Sequence, residues 1–317
     1  SRCCFADPAG FVRDFEHLSM AFCRCPEELA GPIGDAMRLG PALLTELAAP
    51  DGGQHMREAL EAAGLSAMYK QQGRLKERLQ VRRCGPAEEQ RGGSAPASPR
   101  APPGIPGERA NAPPEAVAAL CAALDALEAA AEASLEAWCS GAGIPFSEAM
   151  RLFGEGPCAG RGPPAGRAKS VLNLYRYFNE PDCEEEPCRA HADPGLVTML
   201  CRGTLEGLQV QLPQRPGGAP GARADYEESW RDVEPTMDAQ APGGCVLLAV
   251  VGETLERLSG CTVPSCRHRV ARAGGPRFNM AYELRPRVNV WHPWSALAHP
   301  GSGAPNVRGA GPAGGDP

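Results

Sequence analysis

Val171-Leu172-Asn173-Leu174-Tyr175-Arg176-Tyr177 alternates from one face to the other. So do Leu196-Val197-Thr198-Met199-Leu200, just after His191-Ala192-Asp193-Pro194-Gly195, and Leu208-Gln209-Val210-Gln211-Leu212. A period of two places residues i and i+2 on one side of an extended chain, which is the signature of a strand. Cys245–Val251 and Phe278–Leu284 repeat the pattern, and Gly/Pro turns separate all of these runs. Short strands punctuated in this way predict an antiparallel sandwich or jelly roll. The expected architecture is mainly β with flanking helices: a double-stranded β-helix (jelly roll) core over residues 168–290.

Outward from that core the pattern changes. Residues 1–84 read as a mostly helical N-terminal region. Leu39, Leu43, Leu44 and Leu47 fall at helical spacing, and Pro50-Asp51-Gly52-Gly53 stops that helix. A second helix is expected from Met56 to Ala63, and Leu79-Gln80-Val81 as a short strand. Residues 85–114 have no apolar periodicity and are rich in Gly, Pro, Ser and Ala, the composition of a flexible linker. Residues 115–167 hold a scaffold helix and a loop. Val117, Leu120, Leu124, Leu127, Leu135 and Trp138 share one face of a helix from Glu115 to Cys139, ended by Gly141. Residues 291–317 read as a C-terminal segment and a Gly/Pro/Ala-rich tail.

Composition narrows the function. The net charge is −6 across 317 residues, with no Lys/Arg-rich block, so nothing supports nucleic-acid binding. The longest apolar run, Cys245–Val251, is far short of a membrane span. The 14 Cys read as free thiols, because C-C at Cys3-Cys4 and C-x-C at Cys23 and Cys25 do not match zinc knuckles. Cys183 and Cys188 read the same way. The sequence begins at Ser1 without an initiator Met, which suggests a fragment from which a targeting signal has been removed; the expectation is a cytoplasmic monomer.

The chemistry lies at His191-Ala192-Asp193. If both residues sit in a strand, imidazole and carboxylate project side by side. A second imidazole, from His268 in Cys266-Arg267-His268-Arg269-Val270, would complete two His and one carboxylate. That facial set leaves open positions on an octahedral metal and is typical of non-haem Fe(II) oxygenases.

The ordered text around it is more specific. His191 to Leu200 is followed by Gly207-Leu208-Gln209-Val210, Trp230-Arg231-Asp232-Val233, Gly252-Glu253-Thr254-Leu255, Ser265 to Val270, and Arg277-Phe278-Asn279-Met280-Ala281-Tyr282. In this order the blocks resemble the isopenicillin N synthase-like branch of the Fe(II)/2-oxoglutarate dioxygenases. The resemblance implies that His191, Asp193 and His268 hold Fe(II). It implies that 2-oxoglutarate is the co-substrate, with Arg277 on its distal carboxylate and Tyr177 nearby. Asn279 stands where the family has serine; its amide can also donate. Tyr175 shares a face with Tyr177. Glu253 replaces an aspartate of the family's scaffold. The Gly/Pro-rich insertion after Leu212 accounts for the long separation of His191 and His268.

The activity so implied is oxidative decarboxylation of 2-oxoglutarate to succinate and CO2, coupled to hydroxylation of a small organic substrate by O2. Ascorbate is a candidate reductant. Two other readings stand beside it: an Fe(II) oxidase of the same fold that needs no 2-oxoglutarate, and a non-catalytic jelly-roll binding module. Residues 213–229 and 290–299, with Trp291 and Trp294, are candidates for a pocket lid. His292 and His299 are near the C-terminus and are not expected to be ligands.

Overall fold

The computed structural model describes residues 7–49, 53–83, 115–147, 149, 170–214 and 224–286. The expected linker, the 157–167 loop, Cys3, Cys4, Trp291, His292, Trp294, His299 and the tail lie outside them.

Three helices open the chain, α1 (Pro8–Leu18), α2 (Glu27–Leu47) and α3 (Gln54–Ala62), with strand β1 (Met20–Arg24) between the first two. A hairpin follows, β2 (Leu65–Gln72) and β3 (Lys76–Arg83). The long helix α4 (Glu115–Gly141) leads into β4 (Val171–Tyr177), β5 (Cys188–His191), β6 (Val197–Cys201) and β7 (Leu208–Gln211). Next come β8 (Pro213–Gln214), β9 (Asp225–Tyr226), β10 (Arg231–Asp232) and the short helix α5 (Glu234–Gln240). Then β11 (Val246–Val251), α6 (Glu253–Leu258), β12 (Arg267–Val270) and β13 (Arg277–Leu284) complete the described part.

A seven-stranded sheet runs β1-β11-β6-β13-β4-β3-β2, all antiparallel, and a four-stranded sheet runs β10-β7-β12-β5. The two face each other without closing into a barrel. The outer face of the large sheet carries Leu79, Leu174, Met199, Leu247, Phe278 and Met280, all buried against α2 and α4. The six-residue stripe of α4 is buried on that face, as its spacing predicted. A second apolar cluster lies between the sheets: Leu200, Leu248 and Val250 meet Leu208 and Val210. Burying such residues on both faces of one sheet is the main driving force here, at about 25 cal/mol per Å² of apolar surface.

The N-terminal region differs from expectation. Besides its helices it supplies β1, β2 and β3, so it lends a strand to one edge of the large sheet and a hairpin to the other. The hairpin alternates polar and apolar residues around Gly73, with Lys, Arg and Gln at most inner positions. Such a strand lacks the apolar density that marks the C-terminal ones, and only Leu79-Gln80-Val81 stood out.

Gly40, in α2, shows how closely helix and sheet approach. A Cβ there would overlap the ring of Phe278 on β13. Gly40→Ala gains about 1 kcal/mol of helix propensity but overpacks the interface by about 1–3 kcal/mol. Thermal denaturation should show a lower Tm for Gly40→Ala, and the double variant with Phe278→Leu should recover part of the loss.

Candidate metal centre

His191 ends β5, and His268, in β12, is its cross-strand partner. Directly opposed residues in an antiparallel pair put their side chains on the same face, and the two imidazole centroids are 4.4 Å apart. Asp193 sits two residues beyond the end of β5, not within it as the alternation suggested. Its position comes from the loop. The Glu253 amide donates to the Asp193 carbonyl at 2.8 Å, and the Thr254 hydroxyl to the Pro194 carbonyl at 2.6 Å. The backbone of Glu253, at the start of α6, does the bracing, while its side chain turns away to pair with Arg257.

One donor atom from each of His191, Asp193 and His268 lies within 4.8 Å of the others. Asp193 Oδ1 is 3.4 Å from His191 Nε2, and Asp193 Oδ2 is 3.7 Å from His268 Nε2. The far nitrogens are both engaged. His191 Nδ1 bonds the Arg189 carbonyl at 2.8 Å and His268 Nδ1 the Cys266 carbonyl at 3.2 Å. Carbonyls only accept, so each Nδ1 carries a hydrogen and Nε2 is the nitrogen left to face a metal. Three converging donors with their tautomers fixed fit a divalent metal of the iron group.

Charge in the site follows from this packing. Burial pushes the Asp193 carboxyl up, but His268 and His191 outweigh it and hold it at about 2. Asp193, then Cys188, raise His191 to about 11. Burial depresses His268. Without metal, one proton is therefore trapped on His191.

The predicted co-substrate residues share one inner face of the large sheet. Lys76, Tyr177 and Arg277 form one cross-strand row, and Arg78, Tyr175 and Asn279 the next. Tyr175 and Tyr177 stack with centroids 5.9 Å apart. Arg277 is fully buried and already bonded. Its Nη2 meets Glu234 Oε1 at 2.9 Å, its Nε donates to the Leu205 carbonyl at 3.0 Å, and Glu234 also accepts from the Leu208 amide. Gly203 lies flat against the guanidinium, where a Cβ would overlap it. Arg277 Nη1 and Asn279 Oδ1 are buried with no hydrogen-bond partner. Unmet polar atoms of this kind are costly, and two on one wall mark a place for a polar ligand. If the amide is turned, Asn279 offers a donor at the same point.

Sequence reading missed two residues here. Glu234 followed an apolar Val233 and preceded Pro235, and only the need of a buried Arg277 for a counter-charge pointed to it. Cys188 read as an ordinary thiol, yet it lies close enough to Tyr177 and His191 to raise the pKa of both. At the described end of the 213–229 insertion, Ala224 and Tyr226 line a cavity of about 260 Å³ together with His191 and Arg267.

No protein-family model and no curated protein matches the chain. Solved structures do share its fold. A Caulobacter crescentus protein assigned to the 2OG-Fe(II) oxygenase family aligns at 19% identity over 89% of this chain and 84% of its own, with a TM-score of 0.59. A full-length Neurospora crassa protein in complex with alpha-KG and thymine aligns at 16% identity over 88% and 80%, TM-score 0.57. The rice dioxygenase for auxin oxidation aligns at 17% identity over 88% and 77%, TM-score 0.52. The chain thus has the jelly-roll fold found in 2-oxoglutarate/Fe(II) oxygenases. Among the described residues no helix is long and apolar enough to cross a membrane.

A divalent metal must displace the His191 proton. Apparent affinity should therefore climb about tenfold per unit between about pH 6 and 8. Titration calorimetry in buffers of different ionisation heat should show about one proton released per metal, and a pH-independent affinity would contradict this. Separately, Glu234→Ala strands Arg277 in the core. It should cost about 3–5 kcal/mol in denaturant unfolding.

Proposed function

We propose that this protein is a non-haem Fe(II) oxygenase of the isopenicillin N synthase-like branch that uses 2-oxoglutarate to oxidise a small organic molecule. The observation that carries the reading is the trio His191, Asp193 and His268, with both Nε2 atoms turned to the carboxylate and both Nδ1 atoms held by carbonyls. Two imidazoles and one carboxylate hold Fe(II) with positions to spare. The shared fold and the orphan atoms of Arg277 and Asn279 support the co-substrate.

When bound, iron and 2-oxoglutarate supply the oxidising chemistry, with succinate and CO2 as the co-products. The chain's own residues do the rest. Asp193 and the two imidazoles fix the metal on one side of the space between the sheets. Arg277 Nη1 and the Asn279 amide would hold the distal carboxylate, beside the Tyr177 ring, whose centroid is 5.8 Å from the Arg277 guanidinium carbon. A guanidinium held by Glu234 and Leu205 needs little reorganisation when the ligand arrives. Lysine at this place would have neither the planar fork nor the second bond that fixes it. Hydroxylation is the outcome assigned to the substrate; residues 215–223 of the expected lid lie outside the described residues.

One observation favours a second reading. Glu234 already neutralises Arg277, so a dicarboxylate gains less there than from an unpaired arginine. An Fe(II) oxidase of the same fold that needs no 2-oxoglutarate is therefore the alternative.

Succinate formation from 2-oxoglutarate, dependent on Fe(II) and O2, separates the two. The proposed enzyme forms succinate, His268→Ala abolishes it, and Arg277→Lys raises the KM for 2-oxoglutarate by about tenfold or more, one lost charge-assisted bond. Metal-dependent O2 uptake without succinate would establish the alternative.

A further inference from the structure

The inner face of β3 presents Lys76, Arg78 and Arg82 at alternate positions, because Leu79 and Val81 between them pack on the helices. None of the three has a carboxylate within ion-pair distance among the described residues. Their surroundings make this unusual. The carboxylates that face the same space are Asp193, Glu234 and Glu283. Asp193 belongs to the metal centre, Glu234 is matched by Arg277, and Glu283 is matched by Arg285 at 2.5 Å.

The charges then sum simply. Fe(II) with Asp193 and a doubly charged 2-oxoglutarate leaves one negative charge in excess. Lys76 can balance it: it stands in the row of Arg277, with Nζ 5.6 Å from the Tyr177 ring centroid. Arg78 and Arg82 remain. Arg82 is turned along the strand and donates to Gln80 Oε1 at 3.3 Å. Arg78 is the cross-strand neighbour of Tyr175 and lies beside its hydroxyl, and Tyr175 in turn feels the charges of Glu283 and Asp193. Arg78 is thus a half-buried guanidinium on the inner face of the sheet, in the row of Tyr175 and Asn279 and one row from Arg277.

We infer that Arg78, with the Tyr175 hydroxyl, binds the carboxylate of an organic acid substrate. A guanidinium fork and a phenol together offer three donors, which suits a carboxylate and favours it over a neutral amide, which has one acceptor oxygen and no charge. The inference rests on the oxygenase reading, since it takes the metal and 2-oxoglutarate as already in place. It assigns the substrate's charge to β3, a strand of the N-terminal region.

The test uses the full chain loaded with Mn(II) and 2-oxoglutarate, so that no turnover occurs. Phenylacetate, 3-phenylpropanoate and octanoate are titrated by calorimetry, each against its primary amide. At least one acid should bind about tenfold or more tighter than its amide. Arg78→Gln should erase that preference while changing 2-oxoglutarate affinity by less than about threefold, and Arg78→Lys should keep part of it. Thermal denaturation verifies that each variant is folded. Equal binding of acids and amides, no binding of any acid, or a preference that survives Arg78→Gln would overturn the inference. So would a loss of 2-oxoglutarate affinity as large as the loss of acid affinity, which would move Arg78 to the co-substrate. A wild type that binds the acids but neither Mn(II) nor 2-oxoglutarate would keep the anion site and remove the oxygenase reading instead.

Discussion

The antiparallel pairing of β5 with β12 is the constraint from which the site follows. It sets His191 against His268, and the carbonyls of Arg189 and Cys266 fix which nitrogen of each ring is free. Slipping either strand by one residue would turn an imidazole to the outer face. The pairing is short, and the partner strand β7 on the far side of β12 stabilises its register through a four-residue ladder. Asp193 then needs only a braced loop, which the start of α6 provides through backbone groups. The candidate metal site is thus specified by main-chain geometry, and side-chain identity matters chiefly at the three residues that converge.

The space between the sheets is divided. Toward β11 and β6 it is apolar and packed, with Leu200, Leu248 and Val250 against Leu208 and Val210. Toward β4 and β3 it is polar and partly open. A hydrogen-bonded line runs from Arg82 through Gln80 and Asn173 to Glu283 and on to Arg285. Packed apolar residues stabilise the fold, whereas buried charges at best break even and persist where they serve a ligand. Under the proposed function the fully buried pair of Arg277 and Glu234 belongs to the second kind. It holds one guanidinium edge rigid and leaves Nη1 without a partner, a poor arrangement for stability alone.

Much of this was legible in the residues. The strands β4, β6, β7, β11 and β13 announced themselves by alternation and apolar density, and the stripe on α4 by its period. The donors His191, Asp193 and His268 stood out because ligand spacing and the blocks around them agree. The hairpin of β2 and β3 was hidden, since its inner positions carry Lys, Arg and Gln where a buried strand usually carries aliphatics. That same departure makes it interesting for binding. Glu234 was hidden for another reason. A carboxylate reveals its burial only through its partner, and Arg277 lies 43 residues away. Asp193 was placed correctly beside His191, but by a loop and not by a continuous strand.

The strand order carries a consequence for biosynthesis. β13, the last strand of the described chain, occupies the middle of the large sheet, with β6 and β4 on either side. The earlier strands therefore leave the ribosome without the element that joins them, and β1 and the hairpin of β2 and β3 wait on opposite sides of a gap. Neither half can bury its apolar face until residues 277–284 arrive, so native assembly is a late, cooperative event dominated by contacts between distant residues. Until then the exposed edges of β6 and β4 are open to wrong partners.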